Sequence, residues 1–321
     1  RVDETALLES GLPIVNVSGR YHASKVDNVF NDDERVGRLA AAFYQRRGFT
    51  TFGFCGVERH RSSRLRQRGF AEEIRTLGYA PSEVILPHLP EGDGPSPSAV
   101  QRLSRWLREL PKPAAVFGFN DAVARAVAEA CEEAGILLPS EVAVLGVDND
   151  DIQLGFSAVA LSSIELNRRR IGTFAARRML ERLADPGSAT STQTVPPLKI
   201  VARGSTDKFA VNDSVVAEAL DYITEHLANP ISVDDIAREV GVSRRSLEVR
   251  FRSALQTSVY AEVQRQQLDR ARVLLLETPK MTIAEVAYAC GFQDARHLNV
   301  VCRKKLDCTP GSLRSGTSLI G

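Results

Sequence analysis

The residues best suited to chemistry fall into two groups. In the first half of the chain, Asn120-Asp121 and Asp148-Asn149 each directly follow a short apolar run, while Arg64 and Arg66 stand on a helical pattern that follows another. Carboxylates, amides and guanidinium groups are the donors and acceptors that hold a sugar's vicinal hydroxyls in place. Asn120, Asp121 and Asp148 can equally cap a helix or shape a turn, and Arg64 or Arg66 can simply solvate a helix end. Near the C-terminus the group is different. Ser243 precedes Arg245, Glu248 and Arg252, and Arg296, Asn299 and Arg303 repeat the same spacing 51 positions later, followed by Lys304 and Lys305. At i, i+3 and i+7, such residues share one face of a helix. Arginine suits guanine and phosphate, and a helix N-terminus with a hydroxyl suits phosphate.

The first group needs a sheet to position it. Apolar runs at 114–119 and 142–147 read as strands buried on both faces, and 14–17 and 51–55 as further strands. Between them lie helical patterns. Segment 33–47 carries Val36, Leu39, Ala40 and Phe43 on one stripe and stops at Gly48; 64–77 stops at Gly78; Val100, Leu103, Trp106, Leu107 and Leu110 mark a third; 121–134 closes at Gly135. Segment 87–98 is a Pro- and Gly-rich loop, 168–183 is a helix and 195–201 is a strand. Strand–helix alternation predicts a parallel, doubly wound sheet, whose ligands bind at the carboxyl ends of the strands.

The second group needs helices alone. After about residue 204 strand signals vanish, and the polar stretch 204–213 reads as a linker. Ser232 and Asp235, then Thr282 and Glu285, begin helices as capping pairs. The first leads through Gly241 to a helix with Leu247, Phe251 and Leu255 inward. The second leads through Gly291 to a helix over 295–306 burying Leu298, Val301 and Cys302. A long helix over 259–276 joins them. Helix, short glycine turn, helix is the helix-turn-helix geometry, which places the second helix in the DNA major groove.

Composition sets the outer limits. The 321 residues allow two domains, with 43% hydrophobic and 25% charged residues as in ordinary globular chains. A net charge of +1 requires any basic face to be local. Five scattered cysteines without a CxxC pair speak against disulfides or zinc and for a reducing cytoplasm. No signal peptide and no apolar run long enough for a membrane span is seen, and no cofactor is called for. A nucleotide-dependent enzyme would need GxGxxG after a strand, GxxxxGK[ST] or GxSxG, and none is present. A sugar-binding module with a protein-docking helical part is the other alternative, and salt-dependent duplex binding separates it from a DNA reader.

Residues 214–314 resemble the AraC-type DNA-binding domain. The likeness rests on Ile231 to Ala237, Ser243 to Phe251, Leu268 to Leu275, Thr282 to Ala287, Gly291-Phe292, Arg303-Lys304-Lys305 and Thr309-Pro310. It implies a DNA-facing set of Ser243, Arg244, Arg245, Glu248, Arg252, Arg296, Asn299, Arg303 and Lys304. Where that family has aromatics this chain has Leu298, Cys302 and Leu313, and glycine is replaced by Asp307. Looser packing of the second unit, and a larger share of base discrimination for the first, are therefore expected. Residues 1–203 resemble the LacI-type, periplasmic-binding-protein-like effector domain through Val29-x-x-Asp32-Asp33, Arg66-x-x-Gly69-Phe70, Asn120-Asp121, Ile136-x-x-Pro139 and Gly146-Val147-Asp148-Asn149. Asp33 replaces that family's usual asparagine. The likeness implies a sugar cleft lined by Arg66 or Arg64, Asn120, Asp121 and Asp148.

Together these give an α/β doubly wound effector domain followed by an all-α double helix-turn-helix domain and a short tail, 315–321. That order resembles the bacterial xylose-operon activators, as do Val159 to Ser163, Val195-Pro196-Pro197 and Arg203 to Asp207. The likeness implies D-xylose as effector, operator DNA and RNA polymerase as partners, and a homodimer. The residues alone specify only a polyol-sized polar ligand. An opening Arg1, with the first strand–helix–strand of the fold missing, is read as N-terminal truncation.

Overall fold

The computed structural model describes residues 11–20, 22–23, 25–87, 95–155, 157–208, 210, 213–255, 257–278 and 280–315. The expected tail beyond 315 and most of the expected loop at 87–98 lie outside them. The chain divides into two compact units, residues 1–208 and 209–321.

The first unit holds two sheets. The smaller one, ordered β1-β2-β8, joins Val15–Asn16, Asp27–Asn31 and Thr192–Val195, all parallel. The larger one is ordered β4-β3-β5-β6-β7-β9. Its strands are β3 (Thr51–Val57), β4 (Ser82–Leu86), β5 (Ala114–Gly118), β6 (Val142–Val147), β7 (Ser162–Glu165) and β9 (Lys199–Val201). Only the β7–β9 pair is antiparallel. Helices α1 (Asp33–Arg46), α2 (Arg61–Thr76), α3 (Pro97–Glu109), α4 (Asp121–Ala134), α5 (Asp151–Leu154) and α6 (Arg168–Ala184) make the connections. Phe52, Phe54, Phe70 and Phe117 fill the core as tilted and edge-on ring pairs.

Two expectations need correction. The strand expected at 195–201 is two strands in different sheets. Pro196 and Pro197 carry no N–H and break the ladder, so the chain leaves the small sheet at Val195 and enters the large one at Lys199. The linker expected at 204–213 is shorter. Gly204–Thr206 is a 3₁₀ turn of the first unit, where the buried Ser205 hydroxyl donates to the Val144 carbonyl at 2.6 Å and its Oγ accepts from the Ser162 N–H. At the other end, Asp213 caps the next helix through the N–H groups of Val215 and Val216.

A buried carboxylate ties the small sheet to α6. Asp27, fully buried at the start of β2, accepts from Arg178 and Arg182 at 2.7 Å each and from the Ser191 N–H and hydroxyl. Burial pushes its pKa up, but those guanidinium groups and Ser191 outweigh it and hold the carboxyl at about 2. A folded pKa below the unfolded 3.8 contributes stability that is present above 3.8 and lost as pH falls through about 2. Unfolding titrations should show the wild-type chain losing about 2 kcal/mol more than Asp27→Asn across that window. Parallel curves for the two chains would show that Asp27 contributes nothing to acid sensitivity.

Every secondary-structure element among the described residues of the second unit is a helix. Its helices are α7 (Ser214–His226), α8 (Val233–Glu239), α9 (Arg244–Leu255), α10 (Val259–Glu277), α11 (Ile283–Ala289), α12 (Ala295–Leu306) and α13 (Pro310–Ser315). Both expected capping pairs form reciprocally, Ser232 with Asp235 and Thr282 with Glu285. Two apolar cores result. One gathers Ile223, Ile236, Leu247 and Phe251; the other gathers Val286, Phe292, Leu298 and Cys302. Helix α10 serves both, giving Val259 and Val263 to the first and Leu268, Ala271 and Leu275 to the second.

Candidate functional site

In the first unit the polar cluster forms where α1 and α2 cross. A Cβ at Gly37 would strike the Arg66 carbonyl, and one at Gly69 would strike the Glu34 carbonyl, so the two backbones touch. This contact sets buried Arg66 on Asp33, Nε to Oδ1 at 2.8 Å, and lets Nη1 donate to the Phe119 carbonyl beyond β5. Strands β3 and β5 are neighbours from which the chain proceeds in opposite directions across the sheet, the crevice where open α/β sheets bind ligands.

Two members of the cluster were not picked out as ligand residues from the sequence. Asp33 is fully buried, yet its Oδ2 has no hydrogen-bond partner. Arg61 lies with its guanidinium 4.3 Å over the Phe30 ring and its Nη1 3.8 Å from that oxygen; this nitrogen is also buried without a hydrogen bond. An acceptor and a donor stranded side by side, too far apart for a good hydrogen bond, are placed to share a hydroxyl. The signal for Asp33 was its place in the Val29-x-x-Asp32-Asp33 pattern; Arg61 had none, because its role depends on where α2 begins.

Asp148 completes the cluster from the end of β6. Its φ of 112° is rare for a residue with a side chain and marks a backbone held against its preference. The next residues brace it: the Asn149 N–H donates to Ser163 at 2.9 Å, and Arg203 donates to the Asn149 side chain at 2.7 Å. The Asp148 carboxylate accepts no hydrogen bond among the described residues. Burial raises its pKa, opposed by the charges of Arg66 and Arg168 and assisted by Asp33 and Asp150.

The other expected residues behave differently. Asn120 caps α4, its Oδ1 taking the Val123 N–H at 3.0 Å. Asp121 is buried behind the cluster with both oxygens used, by the Ser163 hydroxyl at 2.6 Å and the Asp150 N–H at 2.8 Å. It therefore braces the Asp148 turn. Burial pushes its pKa up to about 7 against those two hydrogen bonds. Arg64 lies on the exposed stripe of α2 with Arg68, Glu72 and Arg75, on nearly the opposite side of the helix from the buried Arg66.

In the second unit, α9 and α12 present matching faces. Arg245 and Arg252 are exposed on α9, and Arg296, Arg303 and Lys304 on α12; Glu248 and Asn299 are half-buried at equivalent places. The Ser243 hydroxyl accepts the Ser246 N–H at 3.2 Å. Arg244 is paired with Asp234 of α8 at 3.0 Å, an exposed pair that contributes little to stability. The looser packing expected of the second helix-turn-helix is not seen in burial. Leu298 and Cys302 are fully buried against Phe292, and Asp294 caps α12 through the His297 N–H, so α12 is seated as closely as α9.

A two-sheet sensor with stranded polar atoms, followed in the chain by two helix-turn-helix motifs, defines a ligand-responsive transcription regulator. Residues 41–206 match the periplasmic binding protein-like domain and residues 236–316 the helix-turn-helix domain. The xylose operon regulatory protein of Escherichia coli K12 is 30% identical over 98% of this chain and 81% of its own length. That of Haemophilus influenzae is 27% identical over 94% and 79%. The solved xylose-binding transcription activator xylR aligns with a TM-score of 0.59 at 29% identity, covering 98% of this chain and 83% of that one. A ribose-bound LacI family regulator from Enterococcus faecium, 22% identical with a TM-score of 0.53 over 63% of this chain and 73% of its own, shares the fold of the first unit. The chain belongs to the family of xylose operon regulatory proteins.

Proposed function

We propose that this chain is a cytoplasmic transcription activator whose first unit binds D-xylose and whose second unit binds operator DNA. The observation that carries the sugar reading is the stranded pair, Asp33 Oδ2 and Arg61 Nη1, 3.8 Å apart and buried beside Asp148. One sugar hydroxyl can donate to the first and accept from the second. Arg66, Asn120 and Asp148 offer further partners, with Asp121 acting through the Asp150 loop. The DNA reading rests on the paired exposed faces of α9 and α12, with Ser243, Arg244, Arg245, Glu248, Arg252, Arg296, Asn299, Arg303 and Lys304 as the contact set. Five buried, free cysteines suit a reducing compartment, and no described helix is long and apolar enough to cross a membrane. A homodimer that engages RNA polymerase, with sugar binding shifting a population of conformers, is the mechanism in view.

Calorimetry against a panel of pentoses and hexoses tests the reading. D-xylose should bind, and Asp148→Ala should weaken it roughly tenfold or more at unchanged folding, because losing a charged hydrogen-bond partner costs about 1–3 kcal/mol or more. Heat from no sugar in the panel would remove the sugar-sensing reading; unchanged affinity in folded Asp148→Ala would remove that residue from the site.

A further inference from the structure

The two recognition helices each hold a valine out into solvent at the same place. Val249 is 63% exposed and Val300 is 53% exposed, 51 positions apart. Each follows an exposed arginine by four residues and precedes another by three: Arg245 and Arg252 flank the first, Arg296 and Arg303 the second. Neither valine is needed by the fold. The inward positions are taken by Leu247 and Phe251 on α9 and by Leu298 and Cys302 on α12, all fully buried. A β-branched residue on a helix's solvent face loses side-chain freedom and forms helix less well than Lys, Glu or Ala. The same unfavourable choice, made twice between matched arginines, needs a partner that rewards it.

We propose that Val249 and Val300 are specificity residues that each pack against the C5-methyl group of a thymine in the major groove. This inference rests on the DNA-binding reading of the second unit. The thymine methyl is the one apolar group that the bases present on the major-groove edge, and arginines on either side suit guanine or phosphate. The residue before each valine differs, Glu248 in one unit and Asn299 in the other. Glutamate accepts from cytosine and asparagine pairs with adenine. The two half-sites therefore share a thymine and differ at the neighbouring base pair.

The probe is a duplex selected by the full chain from a randomised library in the presence of D-xylose. Each thymine is then replaced in turn by deoxyuridine, which removes the methyl group and nothing else. Burial of one methyl corresponds to about a fourfold change in affinity. Two positions should show a loss of that order. Val249→Ala should abolish the sensitivity at one of them and Val300→Ala at the other, with the melting temperature unchanged or slightly raised, because both sites are exposed and alanine is the better helix former. The proposal is overturned if deoxyuridine is tolerated at every thymine, or if both sensitivities persist in both alanine variants. Failure to select any duplex would overturn the DNA-binding reading itself, and this inference with it.

Discussion

Replacing Arg66 with alanine is expected to lower the stability of the first unit by about 3–5 kcal/mol and to eliminate measurable D-xylose binding. Arg66 is buried, and its guanidinium is shared between the Asp33 carboxylate at 2.8 Å and the Phe119 carbonyl. Alanine would leave Asp33, also fully buried, facing only Arg61 at 3.8 Å. An unpaired buried charge costs far more than the ion pair is worth, since desolvation is no longer compensated. The double variant Asp33→Asn/Arg66→Ala should therefore regain part of the stability while still failing to bind sugar. Denaturant unfolding and calorimetry on both variants check this. A loss below about 1 kcal/mol in the single variant would mean that water reaches the pair.

The second large effect is expected at Gly291, which turns the chain between α11 and α12. Its φ is +73°, and a Cβ there would lie 2.7 Å from the backbone carbonyls of both Leu227 and Asn229. Gln267 of α10 holds the same turn by donating to the Gly291 carbonyl at 3.0 Å. The turn of the second helix-turn-helix unit is thus seated directly on the chain that follows α7. Gly241, the equivalent turn of the first helix-turn-helix, has nearly the same φ, +68°, but nothing lies within 4 Å of its Cβ position. Gly241→Ala should cost only the strain of a left-handed residue, about 1–2 kcal/mol. Gly291→Ala adds a clash with backbone that cannot move aside. It should cost at least twice as much and weaken duplex binding by unseating α12. Equal unfolding costs for the two variants would contradict the seating of the Gly291 turn on Leu227 and Asn229.

The helical unit was the more legible half because its signals are local. Capping pairs, glycine turns and a 3.6-residue stripe act within a few residues, and the Ser232/Asp235 and Thr282/Glu285 pairs form as their spacing requires. The sheet unit hid elements whose stability comes from distant partners. Strand β2 begins Asp27-Asn28, and strand β7 begins Ser162-Ser163; all four residues are buried, which alternating hydrophobicity cannot reveal. Three of their partners, Arg178, Ser205 and Asp121, are 151, 43 and 42 positions away. The site was legible in part for the same reason. Asp148 follows an apolar run and was visible, whereas separating Arg66 from Arg64 required the phase of α2 against α1, set by the Gly37–Gly69 contact.

If one small sugar, held among Asp33, Arg61 and Asp148, changes the affinity of α9 and α12 for DNA, the two binding events are thermodynamically coupled. The most direct measurement is the affinity of the full chain for its selected duplex with and without saturating D-xylose, paired with its affinity for D-xylose with and without that duplex. Coupling between two sites is reciprocal, so both ratios must be equal, in the range of roughly 5- to 150-fold for typical allosteric pairs. D-xylose should tighten duplex binding, and the duplex should tighten D-xylose binding by the same factor. Identical D-xylose affinity in the presence and absence of the duplex would contradict the account.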